Sequence, residues 1–316
     1  MSVKPLLPVI TGPTASGKTA CAVAFCRLAD GEVVSADSMQ VYRGMEILSA
    51  APSEAEMGGI PHHMLGVFSP KDRCSAAEYR DGANAAIQNI LARGKQPVLC
   101  GGTGLYIDAV TRPMKFSEKS DETLHAELLA MADEPGGRTR LHDLLQEVDP
   151  QSAARLHEND VRRVARAIEI YRLTGKTQTQ HALEDAQREG DYQETIFALD
   201  WPREVLYERI SHRVDQMLEQ GMIDEVRLLI HENRESPTAV QAIGYKEIAA
   251  ALEGKMSMSD AVEAVKQATR NYAKRQMTWL RRDSRTIWIS AENRTAEDLA
   301  GEIFSRWKDA IRARNC

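Results

Sequence analysis

The chain has 316 residues, enough for about two domains of ordinary size. Its apolar share of 43% and charged share of 27% are typical of a globular protein, and no apolar run approaches the roughly 18 residues of a membrane span. The net charge of −6 argues against a globally basic nucleic-acid binder, although it is compatible with a local basic patch.

The five cysteines are odd in number, and they form no C-x-x-C pair or Cys/His cluster with metal-ligand spacing. Such usage indicates reduced thiols. The chain enters its first glycine-rich motif shortly after Pro8, so we expect no signal peptide. These features predict a cytoplasmic protein.

The first predicted elements are a short apolar strand, Leu6–Ile10, and a helix over Lys18–Leu28. The turn between them reads GPTASGKT and satisfies G-x-x-x-x-G-K-[ST] with Gly12, Pro13, Thr14, Ala15, Ser16, Gly17, Lys18 and Thr19. In this context backbone N–H groups converge on phosphate oxygens at a helix N-terminus, the lysine adds charge, and the threonine hydroxyl can ligate Mg²⁺. The motif, here called the P-loop, predicts phosphate binding.

A second predicted strand, Glu32–Ser35, ends just before Asp37. In a parallel α/β sheet this is the carboxyl edge, where ligands bind. A carboxylate there can take a proton from a nucleophile that attacks a phosphate-bearing molecule. From its position alone, Asp37 fits a turn-capping role equally well, so both interpretations stay open. His62 and His63 follow as a candidate metal-binding pair. A structural role is favoured for them, because the side chains of neighbouring strand residues face opposite sides of the sheet.

A helix over Ala76–Ala92 and a strand over Pro97–Cys100 lead to a second glycine turn, Gly101–Tyr106. No carboxylate ends this strand, where an ATPase or GTPase would hold the Mg²⁺ shell. Asp200, at the end of a later predicted strand, is a possible substitute, but it lies close before a proline. The alternation of strands and helices predicts an α/β fold with a parallel sheet flanked by helices.

Strand signals vanish over roughly 116–196, where leucines recur at helical spacing. We therefore expect a helical insertion over 116–196 within a core formed by 1–115 and 197–316. In the insertion, Asn159 is the predicted N-cap of a helix that ends at Gly175. That helix carries three arginines, Arg162, Arg163 and Arg166, which by themselves favour a solvated face.

The C-terminal part is predicted to be helical, and its last predicted helix covers about Ser259–Arg282. At about 100° per residue, Arg270, Lys274 and Arg281 lie within ~40° of one another, which makes this stripe a candidate phosphate-backbone contact. The competing interpretation is a solvated face whose apolar neighbours, such as Trp279, enter the core. Earlier in this region, Arg209 and Arg213 can reach a diphosphate or pair with nearby acids.

Seven segments in this order resemble the motifs of the tRNA dimethylallyltransferases, also called tRNA isopentenyltransferases: GPTASGKT, SADSMQVYRGMEI, PHHML, GGTGLY, NDVRRVARAIEI, QAIGYKE and KRQMTWLRR. They cover nearly the whole chain and are more specific together than a P-loop alone. The resemblance implies a P-loop NTPase-like core with a helical insertion that helps to grip the anticodon arm. It also implies a monomer.

The implied activity is a Mg²⁺-dependent transfer of the dimethylallyl group from dimethylallyl diphosphate to N6 of the adenosine immediately 3′ of the anticodon, tRNA position 37. The P-loop would then hold a diphosphate leaving group. No hydrolytic carboxylate is needed, because no phosphoryl group is transferred.

The resemblance also assigns residues. Asp37 corresponds to the general base at the adenine amine, Thr103 to the threonine between tRNA and prenyl donor, and Lys18, Thr19 and Arg213 to the groups that neutralise diphosphate. The implied tRNA contacts are Asp37, Ser38, Met39, Gln40, Thr103, Arg162, Arg163, Arg166, Gln241, Gly244, Tyr245 and Lys246, to which the basic stripe adds Arg270, Lys274 and Arg281.

The chain departs from the family pattern where that pattern reads D-I-G-T-A-K-P. Here Glu46–Pro52 reads EILSAAP, so Leu48 replaces a glycine and Ala51 replaces a lysine. Arg162 stands where the family usually has glutamine. If the missing lysine holds tRNA or diphosphate in relatives, that affinity is lower here or comes from elsewhere.

Three alternatives remain open at this point. An adenylate isopentenyltransferase would use the same core on free AMP, ADP or ATP, but the basic helix and the insertion favour a tRNA acceptor. A small-molecule kinase would hold ATP in the P-loop and form ADP. A nucleotide-gated RNA-binding module would need no Asp37.

Overall fold

The computed structural model describes residues 4–114, 121–233 and 237–315. The chain forms two compact units, one made of Met1–Thr111 with Tyr192–Cys316 and the other of Arg112–Asp191. The expected boundary between 115 and 116 lies outside the described residues. The expected boundary between 196 and 197 falls inside a strand, and for this reason the observed boundary comes five residues earlier.

The sheet of the first unit contains six strands within the described residues, and every neighbouring pair is parallel. Their bounds are β1 (Leu6–Thr11), β2 (Gly31–Ser35), β3 (His62–His63), β4 (Gln96–Gly101), β5 (Gln193–Asp200) and β6 (Thr286–Ser290). The strand order is β3-β2-β4-β1-β5-β6. The predicted α/β fold with a parallel sheet is confirmed. The sequence analysis missed β6, an edge strand in which only Ile289 is buried.

Alternating side chains of these strands enter two different cores, as the period of two in a strand requires. Leu7 and Val9 of β1 belong to one core together with Val34 of β2. Ile10 of β1 and Val33 of β2 belong to the other. Helices therefore cover both faces of the sheet.

The helices of the described residues are α1 (Lys18–Ala29), α2 (Glu54–Met57), α3 (Ala76–Ala92), α4 (Gly104–Thr111), α5 (Glu122–Asp133), α6 (Gly137–Val148), α7 (Pro150–Arg155), α8 (Val161–Thr174), α9 (Gln178–Ala186), α10 (Arg203–Glu219), α11 (Met222–Asn233), α12 (Tyr245–Leu252), α13 (Met258–Arg282) and α14 (Ala296–Asn315). The predicted helix over Ala76–Ala92 is confirmed, and it begins with a capping box between Ser75 and Glu78. None of these helices is long and apolar enough to cross a membrane.

The expectation that the basic helix is the last one is wrong, because α14 follows it. This helix packs on α1, where Phe25 meets Phe304 and Trp307 at ring-centroid distances of 5.8 and 5.6 Å. The polar residues on the opposite side of α14 obscured its apolar face in the sequence.

The second unit contains α5 to α9 around a small core that includes Leu128, Leu141 and Leu145. The predicted N-cap of α8 is wrong by one residue. Asp160 occupies that position without a side-chain cap bond, and the carbonyl oxygen of the Asn159 side chain instead accepts a hydrogen bond from Arg138 at 3.2 Å. The predicted end of α8 is confirmed by Gly175, whose φ of 69° suits a helix C-cap.

The two histidines of β3 have structural partners. His63 contacts the buried Glu32 at 2.7 Å, and Nδ1 of His62 contacts the Ile60 carbonyl at 2.8 Å. Hydrogen bonds from Arg93, followed by the contact with His63, lower the pKa of Glu32 to about 2 against the opposing effect of burial. These contacts agree with the structural role expected from the sequence.

Candidate active site

The P-loop lies between β1 and α1 at the carboxyl edge of the sheet. Gly12 and Gly17 have φ values of 151° and 86°, which glycine adopts without strain. Ala15 also has a positive φ, 61°, although its side chain makes this conformation costly. The loop therefore needs external support to hold its shape.

Two side chains from the segment after β5 supply that support. The indole N–H of Trp201 donates to the Ser16 carbonyl at 2.9 Å, and Nε of Arg209 donates to the Ala15 carbonyl at 2.8 Å. The Arg209 guanidinium lies 4.2 Å from the centre of the Trp201 ring. These contacts fix the strained residue and place a cation beside the loop.

A cavity of about 310 Å³ opens in front of the P-loop, lined among others by Lys18, Thr19, Asp37, Arg209 and Arg213. Burial lowers the pKa of Lys18, and the nearby Asp37 carboxylate partly opposes this effect. Three cations converge on the same space. The cavity is therefore suited to a multiply charged anion.

Arg213 also has protein partners at the cavity. One of its Nη atoms lies 3.4 Å from a carboxylate oxygen of Glu56, and the other donates to the Ala50 carbonyl at 3.4 Å. Both contacts are long for charge-assisted hydrogen bonds. They hold the guanidinium at the wall of the cavity while leaving it able to contact a ligand.

Asp37 begins the turn after β2. Its Oδ1 accepts hydrogen bonds from the backbone N–H groups of Met39 at 2.9 Å and Gln40 at 3.4 Å. The hydroxyl oxygen of Thr103 accepts one from the Ser38 N–H at 2.9 Å. The capping interpretation of Asp37 is thus correct, and it is compatible with a functional one because this carboxylate also lines the cavity.

A second cavity, of about 250 Å³, adjoins the first one. The two share Asp37 and Arg213 among their lining residues. The remaining wall of the second cavity is largely apolar and includes Met39, Leu48, Ile210, Val214, Met217, Ile243 and Val265. Asp37 therefore lies where a charged compartment meets an apolar one.

The second glycine turn follows β4, beside the P-loop. Its glycines adopt ordinary negative or extended φ values, unlike those of the P-loop. A Cβ on Gly101 would lie less than 3.0 Å from the Ala36 backbone, and one on Gly104 would lie equally close to the Trp279 ring. These glycines make room for neighbouring elements, and in this way Thr103 comes within reach of the Asp37 turn.

The sequence analysis missed the contribution of α13 to this site. Tyr272 lines the second cavity and lies within hydrogen-bonding reach of the Thr103 side chain, and burial raises its pKa to about 12. The side chain of Gln276 contacts both glycine turns. Together with Trp279, these residues recur at spacings of four and three, which is the available sequence signal for a single helix face.

Of the predicted tRNA contacts near the active site, Ser38 and Met39 line the second cavity together with the exposed Gln241. The Gln40 amide accepts from the Ser35 hydroxyl at 3.0 Å and donates to the Ala50 carbonyl at 3.2 Å.

The other predicted contacts of this segment separate into core and surface. Gly244 and Tyr245 are buried, and a Cβ on Gly244 would lie 2.5 Å from the terminal carbon of Met222. Lys246 is exposed at the start of α12. The geometry thus brings Gln241 to the second cavity and places Gly244 and Tyr245 in the protein interior.

The basic residues of α13 are not equivalent. Arg270 donates to the Ser211 hydroxyl at 2.9 Å and lies 6.0 Å from the centre of the Tyr207 ring, whereas Lys274 and Arg281 are exposed. Arg275, which the sequence analysis did not single out, is exposed and lines the second cavity.

The arginines of α8, in the second unit, also differ. Arg162 is exposed, Arg163 pairs with Asp160, and Arg166 contacts the buried Glu169 at 2.8 Å. Because its partner is a buried carboxylate, Arg166 has a structural task that the other two lack.

Both replacements in the EILSAAP segment, Leu48 and Ala51, can be located in the structure. Leu48 lines the second cavity, and its N–H donates to the Glu225 carboxylate at 2.6 Å. Ala51 lies in the same segment, next to the Ala50 carbonyl that Arg213 contacts. Asp200, the possible substitute for a hydrolytic carboxylate, lines neither of these two cavities.

A family model described as IPP transferase matches residues 40–283, well over half of the chain. The chain belongs to the IPP transferase family. Within this family it is 44% identical to a tRNA dimethylallyltransferase of Bacillus licheniformis over 287 residues, which are 90% of this chain and 91% of that protein.

Two solved structures extend the family comparison to the fold. A full-length tRNA isopentenylpyrophosphate transferase from Bacillus halodurans matches with a TM-score of 0.73 and 37% identity, over 99% of this chain and all of that one. A eukaryotic dimethylallyltransferase acting on tRNA matches with a TM-score of 0.78 and 28% identity, over 92% of this chain and 75% of that one. The fold of this IPP transferase family member is thus shared over nearly its whole length.

Proposed function

We propose that this protein transfers the dimethylallyl group of dimethylallyl diphosphate to N6 of the adenosine immediately 3′ of the tRNA anticodon. One observation carries the proposal: a cationic cavity and an apolar cavity meet at a single carboxylate, Asp37. A substrate with a diphosphate head and a short hydrocarbon tail matches both compartments. ATP would leave the apolar one without a function.

The diphosphate is assigned to the first cavity. Lys18, Arg209 and Arg213 line it together with the N-terminus of α1, whose backbone N–H groups attract anions. As the bond between the allylic carbon and its oxygen breaks, negative charge accumulates on the diphosphate. Cations fixed in place before the reaction stabilise that charge in the transition state.

Mg²⁺ fits the same cavity, because the Thr19 hydroxyl and the Asp37 carboxylate there are hard oxygen donors. Among the described residues, no group of three or more His, Cys, Asp or Glu side chains is arranged to hold a metal ion. This agrees with an ion that takes most of its ligands from substrate oxygens and water, and Thr19 is its proposed protein ligand. When bound, the ion supplies further positive charge to the leaving group.

The dimethylallyl group is assigned to the second cavity. Its apolar wall, which includes Met39, Val214 and Met217, excludes water from the allylic carbon. Exclusion of water favours transfer to the amine over hydrolysis of the donor. Leu48, the residue that replaces a family glycine, forms part of this wall.

Asp37 is the proposed general base. The hydrogen bonds to its Oδ1 from Met39 and Gln40 orient the carboxylate. In the transfer, the C–O bond electrons leave with the diphosphate and the N6 nitrogen forms the new C–N bond. The N6 proton passes to Asp37, so charge and atoms balance. The target base must leave its stack to reach this position.

The tRNA acceptor is supported by exposed basic residues on both units. Arg275 borders the second cavity, Lys274 and Arg281 are exposed on α13, and Arg162 is exposed on α8. Their charges suit a phosphate backbone, and a free nucleotide would not need them. In this proposal the second unit contacts the anticodon arm.

The direct test is an incubation with Mg²⁺ and labelled dimethylallyl diphosphate, with unmodified bulk tRNA in one tube and AMP, ADP or ATP in the others. We expect label in tRNA adenosine without any ATP. Label in a free nucleotide would instead identify an adenylate isopentenyltransferase. A kinase would consume ATP and leave all acceptors unlabelled.

Asp37→Asn is the matched variant for the base, because the amide oxygen can still accept the Met39 N–H hydrogen bond. We expect the transfer rate to fall about 1000-fold, within the range for loss of a general base, while the dissociation constant for tRNA changes less than twofold. Parallel losses of rate and tRNA affinity would make Asp37 a binding residue.

A further inference from the structure

Gln276 occupies an unusual place between the two glycine turns. It lies on α13 with only 5% of its surface exposed. Its Oε1 accepts a hydrogen bond from the Thr14 N–H at 2.9 Å, and its Nε2 donates to the Gly102 carbonyl at 2.9 Å. Because an N–H can only donate and a carbonyl can only accept, these two partners fix the orientation of the amide.

In the proposed reaction, the two turns that Gln276 joins serve different substrates: the P-loop serves the diphosphate donor, and the second glycine turn serves the tRNA acceptor. Thr14 is part of the P-loop and lines both cavities. Gly102 precedes Thr103, whose hydroxyl oxygen holds the Ser38 N–H next to Asp37. A single carboxamide therefore connects the diphosphate side of the site to the side that carries the general base.

The surrounding residues are shaped to admit this side chain. A Cβ on Gly102 would lie less than 3.0 Å from Nε2 of Gln276, so a larger residue there would displace this amide. Tyr272, one turn earlier on α13, lies within hydrogen-bonding reach of both Thr103 and Gln276. Trp279, one turn later, packs on Gly104. One face of α13 thus covers the second glycine turn.

A buried glutamine that satisfies two backbone groups can be purely structural. Its connectivity argues for more, because the two contacts set the spacing between the donor loop and the base. Transfer rates depend steeply on that spacing: a misplacement of about 1 Å can cost 100-fold. Building on the proposed transferase function, we propose that Gln276 is a positioning residue that sets the distance between the diphosphate cradle and the Asp37–Thr103 side.

Gln276→Met keeps the length and bulk of the side chain but removes both hydrogen bonds. We expect its single-turnover transfer rate at saturating substrates to fall about 100-fold. The dissociation constants for inorganic diphosphate and for tRNA should stay within about threefold of the wild type. Each rate is divided by the concentration of folded protein, measured as diphosphate-binding sites. A partly unfolded variant is then not mistaken for one with slower chemistry.

Gln267→Met is the matched control, because Gln267 is exposed on the same helix and its amide donates to the Asn271 side chain at 3.2 Å, away from both glycine turns. Its transfer rate should equal that of the wild type. Equal rates for Gln276→Met and Gln267→Met would overturn the proposal. A wild type that transfers no label would instead overturn the proposed function, so the two failures are distinguishable.

Gln276→Glu supplies a readout that a merely structural role would not produce. The introduced carboxyl group can donate to the Gly102 carbonyl only when it is protonated. The ratio of the variant rate to the wild-type rate should therefore rise as the pH falls, and division by the wild-type rate at each pH removes the pH dependence that both proteins share. A ratio independent of pH would contradict the proposed hydrogen bond.

Discussion

The P-loop and the second glycine turn lie side by side after β1 and β4, and both are rich in glycine, but they use it differently. Gly12 and Gly17 have positive φ values, so the P-loop needs glycine for its backbone conformation. Gly101 and Gly104 are needed because the Ala36 backbone and the Trp279 ring leave no room for a Cβ. The P-loop needs its glycines for the backbone conformation, whereas the second turn needs them because neighbouring elements lie too close for a side chain.

This difference predicts where function and stability are separated. In the P-loop, the positive charge of Lys18 serves the proposed reaction, but burial of that charge destabilises the folded protein. In the second turn, the packing that stabilises the fold also places Thr103. Four substitutions test this comparison, in order of decreasing effect.

Lys18→Met should lower the transfer rate about 300-fold, in the range for loss of a group that stabilises the charge of a leaving group. Folding disfavours the protonated amine, as its lowered pKa indicates, so removal of the charge should raise the free energy of unfolding. Kinetics with labelled donor and urea unfolding of the same preparation measure both effects. If the free energy of unfolding fell together with the transfer rate, the charge of Lys18 would not oppose folding as we expect.

Gly101→Ala should lower the free energy of unfolding by about 3 kcal/mol, because the new methyl group would meet the Ala36 backbone. Gly301→Ala is the control: Gly301 lies in α14 with nothing within 4 Å of its Cβ position, and alanine there should stabilise the helix by about 1 kcal/mol. Urea unfolding measures the free energy of unfolding of both variants. Similar values for both variants would mean that the second turn can move away from Ala36.

Gly17→Ala should cost about 1 kcal/mol of unfolding free energy, from the positive φ alone. A Cβ there would only meet Arg209, at an ordinary 3.5 Å. Gly44→Ala has the same conformational cost, since Gly44 has a φ of 73° and nothing within 4 Å. A much larger cost at Gly17 than at Gly44 would show that packing also limits the P-loop.

Arg275→Ala should weaken tRNA binding about fivefold, and Lys274→Ala about twofold, with a smaller salt dependence in both. At about 100° per residue, Arg275 lies ~60° from Tyr272 on α13, whereas Lys274 lies on nearly the opposite side of the helix. Titrations at several salt concentrations measure this difference. A stronger effect of Lys274 would place the tRNA backbone on the far face of α13, away from the second glycine turn.

The parts of the site that could be predicted are those in which neighbouring residues determine the conformation. GPTASGKT predicts its own turn because Gly12 and Gly17 permit the required φ values and Lys18 follows directly. Asp37 was predicted in the same way, as the residue just after a strand end. Helix α14 was missed although its pattern is local, because the polar side of this surface helix dilutes the apolar signal.

Other residues received their roles only from the tertiary structure. Gly244 and Tyr245 belong to a segment that resembles a tRNA-binding stretch, but both are buried in the protein interior. Gln276 reads as one polar residue in a basic run, yet its amide reaches Thr14, 262 positions away.

The sequence by itself determined the phosphate cradle, the parallel sheet and the edge at which Asp37 lies, because turns and strands follow from the preferences of adjacent residues. Only the tertiary structure decided which face of α13 covers the second glycine turn and where the charged cavity meets the apolar one. Both depend on how side chains distant in sequence fill a common volume, and local preferences do not encode that packing.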